Sequence, residues 1–228
     1  MRVLVFDTET TGLPDSKIIN PDTLNLWPHI VQFSYLIYDT YENEIIKIKD
    51  FIIKLPENIK IPEESTNIHK ITNEISLKSG LNLIDVLIEF FQDLKNIDKI
   101  IGHNVYFDIN MIKVELLRII YRNLFINEPN KIYRDYLYCI TNFKNICCTL
   151  KDSIDLCNIK SINKYGKEYL KYPKLVELHQ KLFNIIPNGL HNSLNDILVT
   201  LRCYMMLKFN IDLKDNCNSF ITMTNSIF

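Results

Sequence analysis

No run of apolar residues in this 228-residue chain approaches the 18 or so needed to span a bilayer, which argues against an integral membrane protein. No signal peptide precedes Arg2, and the six cysteines (Cys139, Cys147, Cys148, Cys157, Cys203, Cys217) follow neither CxxC nor Cys/His zinc spacing. Free thiols in a reducing intracellular compartment are expected, without a disulfide framework or structural zinc. A net charge of −1 is too small for a large electrostatic grip on duplex DNA. It leaves room for a short single strand, of which only a few phosphates need contact. Internal repeats, low-complexity tracts and linkers are absent. The aromatic residues, 11% of the chain, are spread along it and form no RNA-binding signature.

The composition, 47% hydrophobic and 23% charged, is that of an ordinary soluble protein with a real core. One compact domain is expected over 1–208. Residues 209–228 remain as a C-terminal tail, either a docking tail or a closing strand or coil packed on that domain.

The chain reads as strands first, then alternating helices and strands, which is an α/β pattern. Val3 to Phe6 is an all-apolar run of the kind that forms a central strand buried on both faces. Ile30 to Tyr38 and Ile45 to Ile53 read as the next two strands, joined by a turn over Asp39 to Asn43. From Asn82 the period changes, and Leu83, Val86, Leu87, Phe90, Phe91 and Leu94 mark an amphipathic helix. Lys99 to Gly102 reads as a short strand and Phe107 to Tyr121 as a helix. A further strand is expected near Cys147 to Leu150. Pro173 opens a helix to Phe183, and a last helix runs from about Asn192 to Leu207. The stretch from Arg122 to Asn145 has no clear period.

Four carboxylates and one histidine stand out against this background. Asp7 and Glu9 lie in VLVFDTETTG, Asp108 in GHNVYFDINMI, and His191 and Asp196 in GLHNSLNDI. Acids gathered from separate segments repel one another unless a cation sits among them. Hard carboxylate oxygens without thiolates suit Mg²⁺ or Mn²⁺. Two such ions side by side are the usual apparatus for in-line cleavage of a phosphodiester.

The spacing fits that chemistry. Asp7 and Glu9, two apart in extended backbone, leave the same face at the end of a buried strand, where open α/β sheets place their ligand sites. Asp108 begins a helix after a strand, and Asp196 sits in the first turns of the final helix. Five residues on one helix turn through about 500°, leaving side chains about 140° apart. His191 therefore has to precede the helix, on the loop made by Pro187 to Leu190, with Asn192 or Ser193 as N-cap. From such a loop it can swing in and take a proton from the attacking water, since histidine changes charge near neutral pH.

FDTETTG, GHNxxFD and HNSLND resemble the three motifs of the DEDDh 3′→5′ exonucleases. That family includes the proofreading subunit of bacterial replicative polymerases, RNase T and oligoribonuclease. The resemblance covers Arg2 to about Leu207 and is weak between Arg122 and Asn145. It implies a ribonuclease H-like fold: a mixed five-stranded sheet with helices on both faces. The tyrosine subclass would have Tyr at position 192, where this chain has Asn192, so the histidine subclass is the match. Carried over, Asp7, Glu9 and Asp196 hold the catalytic metal, Asp7 bridges to a second, and Asp108 acts on the second through water. His191 is the general base. IPEESTNIHKIT resembles the segment whose Glu and His touch the 3′ end, which assigns that contact to Glu64 and His69. Thr8, Leu13, Asn104 and Phe107 complete the expected substrate contacts, with Leu13 and Phe107 set to stack or wedge at the terminal bases.

Singly, these features are ordinary. A DxE pair often ends a strand, HxxxxD often caps a helix, and Leu13 and Phe107 serve equally well in a core. His103 and Asn104 read as cap or loop residues, and His29 and His179 as structural or solvated. The order and context of all three motifs carry the reading: a metal-dependent 3′→5′ exonuclease that releases nucleoside 5′-monophosphates from single-stranded DNA. RNA is the alternative substrate, because no residue recognises or excludes a 2′-hydroxyl. A non-catalytic nucleic-acid-binding domain of the same fold would lack these acids. A proofreading role would require a separate DNA polymerase. The sequence leaves the oligomeric state open.

Overall fold

The computed structural model describes residues 1–126 and 129–228. A five-stranded mixed sheet organises it. The strands are β1 (Arg2–Thr10), β2 (Ile30–Asp39), β3 (Glu44–Ile52), β4 (Lys99–Gly102) and β5 (Ile146–Cys148), in the spatial order β3-β2-β1-β4-β5. β1, β2 and β3 pair antiparallel, β2 and β3 through a short turn and β1 and β2 through a longer loop over residues 11–29, whereas β4 and β5 run parallel to β1. Parallel neighbours need crossovers. Helices α1 (Glu63–His69), α2 (Asn73–Ser79) and α3 (Leu83–Leu94) lead into β4. Helices α4 (Val105–Phe125) and α5 (Lys131–Asn142) lead into β5. After β5 come α6 (Thr149–Asp152), α7 (Ile154–Cys157), a separate hairpin of β6 (Lys160–Ile162) and β7 (Glu168–Leu170), α8 (Leu175–Phe183) and α9 (Ser193–Phe209). Two short helices, α10 (Leu213–Asn216) and α11 (Asn218–Thr224), close the chain. The expected ribonuclease H-like α/β architecture is present.

The period of two along β1 divides the core. Leu4 and Phe6 face α3 and α4, packing with Phe33, Tyr35, Phe90, Ile109 and Ile112. Val3 and Val5 face the opposite layer, with Leu36, Tyr38, Ile197, Leu201 and Phe220. By the same alternation Thr8 belongs to the α4 side, and Asp7 and Glu9 to the α9 side.

Several expectations need correction. β1 runs past the apolar Val3–Phe6 run to Thr10, so Asp7 and Glu9 lie near its end but are still paired. The unreadable stretch holds the end of α4 and all of α5; the latter stacks Tyr136 on Phe91 at 4.3 Å between ring centroids. Asn127 and Glu128 of that stretch lie outside the described residues. The tail is neither strand nor coil: α10 and α11 bury Leu213, Cys217 and Phe220 in the core. The hairpin of β6 and β7 has no counterpart in the sequence reading. Among the described residues no helix is long and apolar enough to cross a membrane, and all six cysteines are free.

Candidate active site

β1 delivers the first two acids. Asp7 pairs across the sheet with Ser34 of β2, and Glu9 with Gln32. α9 delivers the third. Its N-cap is Asn192, whose side chain accepts from the amides of Leu194 (3.2 Å) and Asn195 (3.4 Å). That cap starts the helix so that Asp196 falls in its first turn, where the aligned peptide dipoles favour a negative charge. Oxygens of Asp7, Glu9 and Asp196 come within 4.8 Å of one another. Residues more than 180 positions apart in sequence thus form one cluster.

A buried polar network seats α9 against the sheet beside these acids. Ser193 Oγ lies 2.5 Å from Ser34 Oγ, and the Ser193 amide donates to Gln32 Oε1 at 3.3 Å. Ser34 and Gln32 both donate to Asp50 Oδ1, at 2.7 and 2.8 Å. The sequence reading missed this network. Its signal was present: Gln32 and Ser34 are two polar residues at period two in an otherwise apolar strand.

Asp108, in the first turn of α4, approaches from the other face of the sheet. One of its oxygens accepts from the Thr8 amide at 3.0 Å and from the Thr8 hydroxyl at 2.7 Å. Asp108 is 3% exposed, and its bond from the Thr8 amide fixes this carboxylate alongside the strand that carries Asp7 and Glu9. It stands outside the group of three. Thr8, expected at the substrate, is buried with its hydroxyl committed to Asp108.

The electrostatics are those of crowded, desolvated acids. Burial, followed by the charges of Asp108, Asp196 and Glu9, holds Asp7 well above the ordinary carboxylate range. Burial lifts Glu9 to about 7. Asp196 is raised by burial and by Glu9, against the pull of the His191 amide. Burial also raises Asp108, and the two Thr8 donors work against it. Such a set resists ionising together unless a cation joins it. Asp196 Oδ1 is buried without a hydrogen-bond partner, an acceptor left over for something else. A divalent ion with oxygen ligands fits this donor set.

His191 precedes α9, as the helix geometry requires. It is exposed, with a left-handed backbone (φ 66°), and its amide donates to Asp196 Oδ2 at 3.1 Å. The loop is shaped by Gly189, also left-handed at φ 67°, where an added Cβ would lie 2.7 Å from the Asn195 side-chain amide. The backbone of His191 is therefore tied to the third acid, while its side chain stays exposed.

The remaining expected contacts divide. Leu13 is 83% exposed on the loop after β1, whereas Phe107 is partly buried against the α3–α4 core. Asn104 is exposed and left-handed (φ 70°), with no side-chain cap bond. His103, two residues ahead of α4, does fix its loop, through Thr149 Oγ1 and the Pro173 carbonyl, both at 3.0 Å. α1 carries both Glu64 and His69, and five residues leave them about 140° apart around its axis. His69 turns inward; Glu64 stays in solvent. His69 Nδ1 accepts from the Ile71 amide at 3.1 Å, and its Nε2 is buried without a partner. Burial lowers its pKa and the nearby Thr10 backbone opposes that. His29 accompanies Arg118 and Glu115 in a clamp that holds the loop after β1, and His179 is buried against Arg202. Both are structural.

Residues 4–204 match the model of a family described as RNase_T, Exonuclease. No curated protein matches the chain. Among solved structures, a zinc-bound E. coli ExoI–ssDNA complex superposes with a TM-score of 0.60 at 17% identity, over 92% of this chain and 41% of that one. E. coli Exonuclease I with a dT13 oligonucleotide gives 0.59 at 17%, over 90% and 41%. Exonuclease I from Methylocaldum szegediense gives 0.56 at 16%, over 94% and 42%. The chain thus spans about two fifths of the length of these proteins, and the likeness is one of fold.

Proposed function

The chain belongs to the RNase T family of DEDD-type 3′→5′ exonucleases, and on that premise we propose that it trims single-stranded DNA from a 3′-hydroxyl end, releasing nucleoside 5′-monophosphates. The observation that carries this reading is the convergence of Asp7, Glu9 and Asp196, with Asp196 Oδ1 buried and unpartnered. Asp7, Glu9 and Asp196 would hold one Mg²⁺ or Mn²⁺, and Asp108, fixed by Thr8, would serve a second through water. When bound, such ions neutralise and polarise the scissile phosphate.

The chain's own residues account for the rest. His191 removes the proton from the attacking water, its backbone tied to Asp196 and its exposed ring free to turn toward the acids. His69, whose buried Nε2 has no hydrogen-bond partner while its Nδ1 accepts from Ile71, would meet the terminal nucleotide through that nitrogen. Leu13, exposed on the loop after β1, would wedge or stack at the end of the strand. The E. coli Exonuclease I complexes with dT13 and with ssDNA support DNA over RNA.

The test uses matched single-stranded DNA and RNA labelled at internal phosphates, each with a free or a phosphorylated 3′ end. Mononucleotides from free-ended DNA, and none from the blocked strand, are expected. Cleavage of a closed circular single strand would overturn the exonucleolytic reading. Preference for RNA would overturn the substrate assignment alone.

A further inference from the structure

Between α7 and α8 the chain leaves the domain as the hairpin of β6 and β7. Its turn is a built one: Asn163 Oδ1 accepts from the amides of Tyr165 (2.9 Å) and Lys167 (3.0 Å), and Gly166 takes φ 78°. No residue of β6 or β7 is buried, so packing does not explain what the hairpin is made of. From Asn158 to Lys174 there are five lysines and one acid, Glu168, in a chain whose net charge is −1. Three tyrosines stand among the lysines. Tyr165 is 81% exposed, Tyr172 59% and Tyr169 48%.

The base of this hairpin is fixed to the catalytic end of the sheet. Lys171 N–H closes it by donating to the Ile159 carbonyl at 2.9 Å. Two residues on, the Pro173 carbonyl accepts from His103 Nε2. His103 is neutral, burial pushing its pKa down to about 4, and it opens the loop that leads into α4 and Asp108. On the same loop cluster, exposed Tyr106 of the first turn of α4 has the Lys151 ammonium 4.1 Å from its ring centre. Solvent-facing tyrosine and lysine therefore occur together both next to Asp108 and along the hairpin, with His103 joining the two places.

We propose that the hairpin is a binding arm for the single strand behind the terminal nucleotide, its lysines meeting phosphates and its tyrosines stacking on bases. This rests on the exonuclease reading above. Lysine alone would bind any polyanion, but exposed aromatics interleaved with it select a polyanion that also presents unpaired bases. Duplex offers no free base faces for these tyrosines. From its closing pair to its tip the arm reaches roughly 20 Å at strand rise, beyond the span of a dinucleotide.

The experiment compares the wild-type chain with K164E/K167E and Y165A, all at exposed positions that packing does not use. KM and kcat are measured on a 20-nucleotide strand and on a dinucleotide, as DNA and as RNA, with an abasic 20-mer as a further arm. Binding of the labelled 20-mer is read separately in excess chelator, where no cleavage occurs. Expected are a KM for the 20-mer raised about 10-fold or more, an unchanged kcat, and unchanged dinucleotide turnover. Y165A should lose its effect on the abasic strand, and K164E/K167E should flatten the salt dependence of binding. The DNA and RNA arms show which strand the hairpin takes. Unchanged KM and unchanged binding of the 20-mer in both variants would overturn the arm. Tight, hairpin-dependent binding without cleavage of any substrate would support the arm and sink the catalytic reading instead.

Discussion

Thr8 gives both its amide and its hydroxyl to a single oxygen of Asp108, at 3.0 and 2.7 Å. Thr8 sits between Asp7 and Glu9 but faces the opposite side of β1. The strand therefore presents two acids on one face and, from the residue between them, anchors a fourth acid arriving from α4. This contact makes Asp108 part of the same unit while leaving it outside the three converging carboxylates.

Thr8→Val tests that anchor. Valine suits the strand but leaves a buried carboxylate with one donor fewer, a loss of about 1.5–3 kcal/mol for a hydrogen bond to a charged group. Urea unfolding above pH 8 should show it, and Thr8→Ser should recover most of it. Turnover should fall in Thr8→Val and return in Thr8→Ser; equal stability of Thr8→Val and wild type would show the anchor to be idle.

The acid cluster makes metal-free stability depend on pH with a definite sign. Asp7, Glu9, Asp108 and Asp196 all have folded pKa values above the usual carboxylate range. Folded protein then binds more protons than unfolded protein, and stability falls as pH rises from about 4 through the folded values. Buried His103 and His179, both pushed down to about 4, act oppositely and cost stability below about pH 6.5. His69, lowered as well, acts with them, and between pH 6.5 and 8 the effect of these histidines fades while that of the acids persists. Thermal melting in chelator should show Tm dropping across that window, and saturating Mn²⁺ should abolish the drop. A Tm that rises over the same window in chelator would contradict the cluster.

Ser193 ties the start of α9 to Ser34 and Gln32. Ser193→Ala should cost about 1 kcal/mol of stability and loosen Asp196 relative to β1, so a higher Mn²⁺ concentration should be needed for half-maximal rate. An unchanged metal requirement would confine this network to stability.

His191→Ala should lower turnover by about 10²- to 10⁴-fold, the usual worth of general acid–base catalysis. Metal affinity should barely change, since Asp7, Glu9 and Asp196 remain. Lost Mn²⁺ binding, with the rate restored by added metal, would make His191 a ligand. Near-normal turnover would reduce it to a loop residue.

The strands that carry the site were legible because burial on both faces leaves an apolar run, as from Val3 to Phe6, and α3 because its apolar face recurs at helical spacing. The acids were legible because their local spacing already states which face each one leaves. The contact of Thr8 with Asp108 was not, since it joins residues 100 positions apart and depends on how α4 crosses the sheet. Glu64 and His69 looked equivalent in the sequence until α1 turned one inward and the other to solvent. α5 was hidden because only Ile140 of its inner face is fully buried and the two tyrosines beside it, Tyr133 and Tyr136, are half-buried, so their hydroxyls blur the apolar period. The hairpin of β6 and β7 was hidden because it has no buried face to create one.

The most direct test of the account measures Mn²⁺ binding and release of nucleoside 5′-monophosphate together, in wild type and Asp7→Asn. Wild type is expected to bind Mn²⁺ and degrade a free-ended single strand, and to stop in excess chelator. Asp7→Asn is expected to lose metal binding and at least about 10³-fold in turnover, roughly 4 kcal/mol, while melting at the same or a higher temperature in chelator because one crowded carboxylate is gone. Continued mononucleotide release in excess chelator, or full turnover by Asp7→Asn, would contradict the account.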